Sequence, residues 1–138
     1  MKVSEAMHRG VEWCGPDTTI PEIAKLFREK DIGAIPIGEN DKLIGMVTDR
    51  DIVCRGIAEG KDVTALVARD VMSDHIIYCR DEDEVADAVR HMEHMQVRRV
   101  PVINASNRMV GILTLGDVSH AVPHELCGEF TEAVSAHH

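Results

Sequence analysis

Aromatic side chains are nearly missing from this sequence: Trp13, Phe27, Tyr78 and Phe130 make up 3% of its 138 residues. The core must therefore be aliphatic, and the aromatic platforms on which single-stranded bases stack are lacking. Positive charge is short as well, with 15 Lys and Arg against 24 Asp and Glu, a formal net charge of −9. A nucleic-acid backbone or an anionic membrane surface would repel such a chain, so neither is expected as a partner. No apolar run approaches the roughly 20 residues that cross a bilayer. Residues 1–5 lead into no apolar signal region, so a soluble, cytoplasmic protein is expected. The cysteines Cys14, Cys54, Cys79 and Cys127 form no Cys-x-x-Cys pair, which removes the zinc-ribbon spacing. In a reducing compartment they read as free thiols, and no metal is expected.

What is present is a repeat. Val11-Glu12-Trp13-Cys14 matches Ile76-Ile77-Tyr78-Cys79, and Met7 matches Met72, at an offset of 65. Ile32 to Ile37 matches Val97 to Val102 at that offset, and Leu43 to Ile52 matches Met109 to Val118 at 66. The division that follows is a first repeat over 1–60, a linker over 61–67, a second repeat over 68–122 and an amphipathic tail over 123–138. Each repeat reads β-α-β-β-α. A strand (11–14; 76–79) precedes a helix with a one-sided apolar stripe, Ile20, Ile23, Ala24 and Phe27 or Val85, Ala88, Val89 and Met92. Thr18 and Asp83 are the predicted N-caps. A hairpin follows (34–37 with 43–47; 99–103 with 109–113), then a helix starting at Asp49 or Leu115. A single repeat is too small to bury its apolar faces well. The expected fold is α+β, with two such units packed face to face about a pseudo-two-fold axis.

Both repeats set three features in one order: apolar-Pro-apolar in one strand, a glycine (Gly45; Gly111) in the next, and Thr-x-x-Asp at its end. A proline in a strand removes a ladder donor and frees neighbouring backbone for something other than a strand, such as an adenine edge. A threonine at a helix start suits a phosphate. An ionised aspartate accepts only, so it can take both hydroxyls of a ribose. This is a nucleotide cradle. Thr-x-x-Asp is equally a helix capping box that needs no ligand, and the residues alone leave both readings open.

Taken together, the repeat resembles a tandem pair of cystathionine-β-synthase (CBS) domains over residues 1 to about 122. Gly45-Met46-Val47-Thr48-Asp49-Arg50-Asp51 and Gly111-Ile112-Leu113-Thr114-Leu115-Gly116-Asp117 are similar to that family's Gly-apolar-x-Thr/Ser-x-x-Asp signature. The resemblance implies a stand-alone, non-catalytic regulatory module. Such a module binds an adenosyl ligand (AMP, ADP, ATP, S-adenosylmethionine or NAD) in the cleft between its units, requires no cofactor, dimerises with its own kind and signals to a further protein. It also implies that Asp51 and Asp117 hold ribose, Thr48 and Thr114 phosphate, and that Ile35, Pro36, Val100 and Pro101 line the base pockets. The alternative is a ligand-free interaction or redox-responsive homodimer whose Thr-x-x-Asp motifs are caps only.

The two sites are not expected to be equal. Asp49 and Arg50 stand where the second motif has Leu115 and Gly116, and Arg98 and Arg99 stand where the first repeat has Gly33 and Ala34. On so acidic a chain, Arg50, Arg98 and Arg99 are the candidate phosphate contacts. His91 and His94 share a helix but lack the further ligands a metal needs, and are expected at a solvated rim. His120 and His124 read the same way. The terminal His137-His138 pair is left out of the site. Cys14 and Cys79 occupy one position in the two repeats and are expected in the cores.

Overall fold

The computed structural model describes residues 1–121. The tail predicted over 123–138, with its Leu126, Phe130 and Val134 stripe and Cys127, lies outside them. The chain runs α1 (Val3–Ala6), β1 (His8–Arg9), α2 (Ile20–Lys30), β2 (Ala34–Glu39), β3 (Lys42–Thr48) and α3 (Asp49–Asp51). It winds on through a π turn (Ile52–Gly56) and short 3-10 turns at Ile57–Glu59 and Val63–Ala65. Then come α4 (Ala68–Val71), β4 (Cys79–Arg80), α5 (Val85–Met95), β5 (Arg99–Ile103), β6 (Met109–Thr114) and α6 (Leu115–Ala121). The fold is α+β, as the pattern of apolar residues predicts.

Two compact units form, and their boundaries differ from those of the repeats. One is Glu12–Ile76; the other joins Met1–Val11 to the chain from Ile77 on. Each repeat is preceded by a leader, α1 with β1 or α4 with Ser73, and each leader lies on the hairpin of the other repeat. β1 pairs antiparallel with β6, His8 opposite Ile112, giving a sheet of order β1-β6-β5-β4. In the other unit Ser73 exchanges both backbone bonds with Met46 of β3, beside the β2–β3 hairpin. Each unit has its own aliphatic core. Ile20, Ile23, Phe27, Ile35, Ile37 and Val47 cluster in one. Val85, Val89, Met92, Val100, Val102 and Leu113 cluster in the other.

The helices follow the predicted stripes with local corrections. Val85, Ala88, Val89 and Met92 of α5 are all buried. In α2 only Ile20, Ile23 and Phe27 are; Ala24 faces solvent, and half-buried Leu26 packs on the cluster instead. Both helices end on a left-handed residue, Asp31 at φ 53° and Gln96 at φ 55°, the usual means of turning a chain off a helix. The caps fall one residue beyond those predicted, at Thr19, whose Oγ1 accepts from Glu22 N–H at 3.4 Å, and at Glu84. The reason is the leaders. Thr18 and Asp83 give their carbonyls to leader N–H groups, Ala68 at 2.8 Å and Val3 at 2.8 Å. Asp83 Oδ2 meanwhile accepts from Arg80 N–H at 2.9 Å, closing the turn before the helix.

The first strand of each repeat is shorter than expected. In place of 11–14 there is one parallel bridge, Cys14 to Ile37, and in place of 76–79 the two-residue β4, with Cys79 opposite Val102. The glycines of the two signatures are explained by the leaders. A Cβ on Gly45 would stand 2.8 Å from Met72 Sδ and 3.0 Å from the Ser73 carbonyl oxygen. On Gly111 it would stand 2.6 Å from Met7 Sδ and 2.8 Å from the His8 carbonyl oxygen. It is backbone that approaches these glycines. A thioether can swing aside; a paired backbone carbonyl cannot. Gly111→Ala is therefore expected to destabilise the protein by about 1–3 kcal/mol, the range for overpacking, and Gly45→Ala by less. Urea unfolding midpoints measure both, and an unchanged midpoint for Gly111→Ala would remove the leader as the reason for the glycine.

Candidate functional site

The two Thr-x-x-Asp motifs close the same pair of hydrogen bonds. Thr48 N–H donates to Asp51 Oδ2 at 2.9 Å, and Asp51 N–H donates to Thr48 Oγ1 at 3.0 Å. Thr114 N–H donates to Asp117 Oδ2 at 3.0 Å, and Asp117 N–H donates to Thr114 Oγ1 at 3.2 Å. These are capping boxes, and each turns a strand directly into a helix. A carboxylate has about four acceptor positions on its two oxygens. The box engages Oδ2; the other oxygen, Oδ1, lies 3.9 Å from Arg55 Nε in Asp51 and has no ion pair among the described residues in Asp117. Both aspartates are half-buried, within reach of solvent.

The hairpins set what surrounds them. Strand side chains alternate, so with Ile35, Ile37 and Val47 in the core, Ala34, Pro36 and Thr48 share the opposite face. Ala34 lies directly across from Thr48. In the other unit Val100, Val102 and Leu113 point inward, while Arg99, Pro101 and Thr114 share the outer face, Arg99 directly across from Thr114. The structure thus brings Pro36 to Thr48, and Pro101 and Arg99 to Thr114. It does not bring Ile35 or Val100 there: both side chains are buried in the cores, and both residues are paired in the hairpin ladders, opposite Val47 and Leu113.

Each proline marks where parallel pairing stops. Both backbone groups of Met46, opposite Pro36, are taken by Ser73, so Pro36 faces away from β3. Its carbonyl accepts Cys14 N–H at 3.1 Å. Having no N–H, it can extend the ladder no further, and Glu12 and Trp13, which precede Cys14, are in no regular structure. Pro101 sits in the same register, just short of the Cys79–Val102 pair. Trp13 and Tyr78, next to these ends, are each 40% exposed.

Charge distinguishes the two motifs. Gly33 lies beneath the Asp49 carboxylate, and a Cβ there would stand 2.8 Å from Asp49 Oδ2. Asp49 Oδ1 accepts the N–H of Arg50, whose side chain is exposed. At the second motif Leu115 N–H donates to the Arg98 carbonyl at 2.9 Å, while the Arg98 side chain is exposed and that of Arg99 half-buried. A carboxylate therefore borders the first motif, whereas the second has Arg99 across from Thr114 and the Arg98 backbone bonded to Leu115.

The thiols are quiet. Burial pushes Cys79 up to about 12 and also raises Cys14, so neither ionises readily. Cys54 is exposed. His91, His94 and His120 are exposed. Among the described residues no three His, Cys, Asp or Glu side chains converge to hold a metal, and no helix is long and apolar enough to cross a membrane.

A tandem α+β pair, with a proline-bearing hairpin closed by a Thr–Asp box in each half, defines a class of paired binding modules. The chain belongs to the CBS-domain family, whose model matches residues 3–55 and 68–124. It is 40% identical over 131 residues to hypoxic response protein 1 of Mycobacterium tuberculosis, covering 94% of this chain and 91% of that one. It is 38% identical over 117 residues to the CBS domain-containing protein YhcV of Bacillus subtilis, covering 85% and 82%. Among solved structures, Hypoxic Response Protein I with two coordinated zinc ions superposes with a TM-score of 0.80 at 40% identity, over 88% of this chain and 99% of that one. CBSX2 in complex with AMP superposes at 0.75 with 28% identity, over 87% and 94%.

The raised Cys79 value fixes a pH dependence. Below pH 9 the thiol is protonated folded or unfolded, and its contribution to stability is whole. Between pH 9 and about 12 the unfolded thiol ionises while the buried one does not, so stability falls. Urea unfolding across that range is expected to show a steeper loss for the native protein than for Cys79→Val. Parallel curves would mean that Cys79 ionises as freely folded as unfolded.

Proposed function

We propose that this chain is a regulatory module that binds an adenosine nucleotide of the AMP, ADP or ATP kind at its Thr-x-x-Asp motifs. It catalyses no reaction and acts through a partner protein, as a cytoplasmic homodimer. The observation that carries this reading is the spare carboxylate oxygen. In both repeats one oxygen closes the box, and the other, weakly opposed by Arg55 at Asp51, keeps acceptor capacity that suits the vicinal hydroxyls of a ribose. The proline-ended ladder nearby leaves backbone for a base edge. The complex of AMP with CBSX2 supports the ligand class. S-adenosylmethionine and NAD carry the same diol and belong in any ligand screen.

The second motif is the better site for a phosphorylated ligand. Arg99 stands across from Thr114 with Arg98 next to it, whereas Asp49 at the first motif repels a phosphate. Arg50 offsets that repulsion only in part. One observation favours the rival reading, a ligand-free interaction module: both boxes are complete without a ligand. Its redox version is disfavoured by the raised Cys14 and Cys79 thiols.

A thermal-shift series with AMP, ADP, ATP, S-adenosylmethionine and NAD separates the two, because a ligand that binds only the folded state raises its melting temperature. Asparagine is the informative replacement, since its amide oxygen still accepts the threonine N–H. Asp117→Asn is expected to weaken AMP about tenfold, the loss of charge-assisted hydrogen bonds, with a smaller effect from Asp51→Asn. Unchanged AMP binding in both variants would hand the motifs to the capping role alone.

A further inference from the structure

The two motifs differ in what faces the second carboxylate oxygen. Asp51 Oδ1 lies 3.9 Å from Nε of Arg55, one turn along the chain. At the matching place after Asp117 the sequence has Ala121, and among the described residues no ion pair to Asp117 is present. The same guanidinium donates from Nη1 to the carbonyl oxygens of Met72, at 3.0 Å, and of Val71, at 3.4 Å. A four-residue helix leaves the carbonyls at its C-terminal end without intrahelical partners, and Arg55 fills them. Met72 is also the side chain lying over Gly45, and Ser73 is the residue paired with Met46. One rigid, planar cation therefore spans the carboxylate of the first motif and the leader laid on the first hairpin.

We propose that Arg55 is a positioning residue that couples occupation of the first motif to the order of the leader Ala68–Ser73, a coupling with no counterpart among the described residues of the second motif. The inference rests on Asp51 receiving ligand hydroxyls, as proposed above. A hydroxyl donated to Oδ1 competes with Arg55 Nε for the negative charge on that oxygen. The ion pair is long, and the arginine side chain is 50% exposed, so the pair is weak enough to be displaced. Arg55 then holds the leader by Nη1 alone, and the leader loosens. From Ser73 the chain runs through Asp74–Ile76 to the start of the other unit at Ile77, so the change is felt at the connection between them.

Hydrogen–deuterium exchange on the whole chain tests this, with and without AMP, in the native protein, Arg55→Met and Arg55→Lys, calorimetry on the same samples recording binding. Without ligand, exchange across 68–74 is expected to be roughly two- to fivefold faster in Arg55→Met, the size of one lost hydrogen-bonding partner. AMP is expected to speed exchange across 68–74 in the native protein only. Lysine keeps the charge but lacks the fork, so Arg55→Lys is expected to lose the AMP response too. Segment 3–9 is expected to be alike in all three proteins. Equal exchange of 68–74 in native protein and Arg55→Met without ligand overturns the tie. AMP binding that leaves 68–74 unchanged or slower in the native protein, or that speeds it equally in the variants, overturns the coupling while the binding reading stands. No heat of binding and no change anywhere removes both.

Discussion

The reciprocal hydrogen bonds between a threonine and the aspartate three residues on are the interaction around which each half is organised. They stop β3 and β6, start the helix that follows, and fix the aspartate in one rotamer at the end of a hairpin. Because a carboxylate accepts at two oxygens and the box requires only one, the same side chain can close a helix and still present an acceptor. Capping and ligand binding are thus not rivals for the residue. The cap is what holds the second oxygen still, and a pre-oriented acceptor loses less freedom when a hydroxyl arrives.

The second constraint is the exchange of leaders. The glycine of each signature lies beneath the backbone of a segment that precedes the other repeat, at distances where any Cβ would collide. The family signature therefore has two physical halves. Its glycine serves the leader that lies on the strand, and its threonine and aspartate serve the turn at the strand's end. Their fixed separation is the length of strand between the crossing leader and the first turn of helix.

The hairpins, the long helices and the boxes were legible in the sequence because they rest on local patterns: alternation, a one-sided stripe and a four-residue motif, each written twice. The leaders were not. Val3–Ala6 and Ala68–Val71 are too short to show a period, and what orders them is pairing with residues remote in sequence. That hidden partner also explains the misplaced caps, since Thr18 and Asp83 look like helix starts until their carbonyls are seen to be engaged by leaders. Ile35 and Val100 flank the prolines in sequence, yet strand alternation turns them to the far face. The division of labour between Arg99, across from Thr114, and Ala34, across from Thr48, needed the register, although the unequal charge of the two repeats was plain from composition. Arg55 carried no signal at all, because its partners are backbone carbonyls sixteen and seventeen residues away.

The topology of the leaders has a bearing on how the chain comes together on the ribosome. The unit from Glu12 to Ile76 is continuous, so all its parts emerge in succession and it can close early. The other unit joins an early segment to a late one: His8 must wait for Ile112, about a hundred residues later. Until then Val3 and Met7, which belong to the core of that unit, stay uncovered. The exchanged leaders thus make one half closable from consecutive residues, while the other must wait for a pairing that spans most of the described chain.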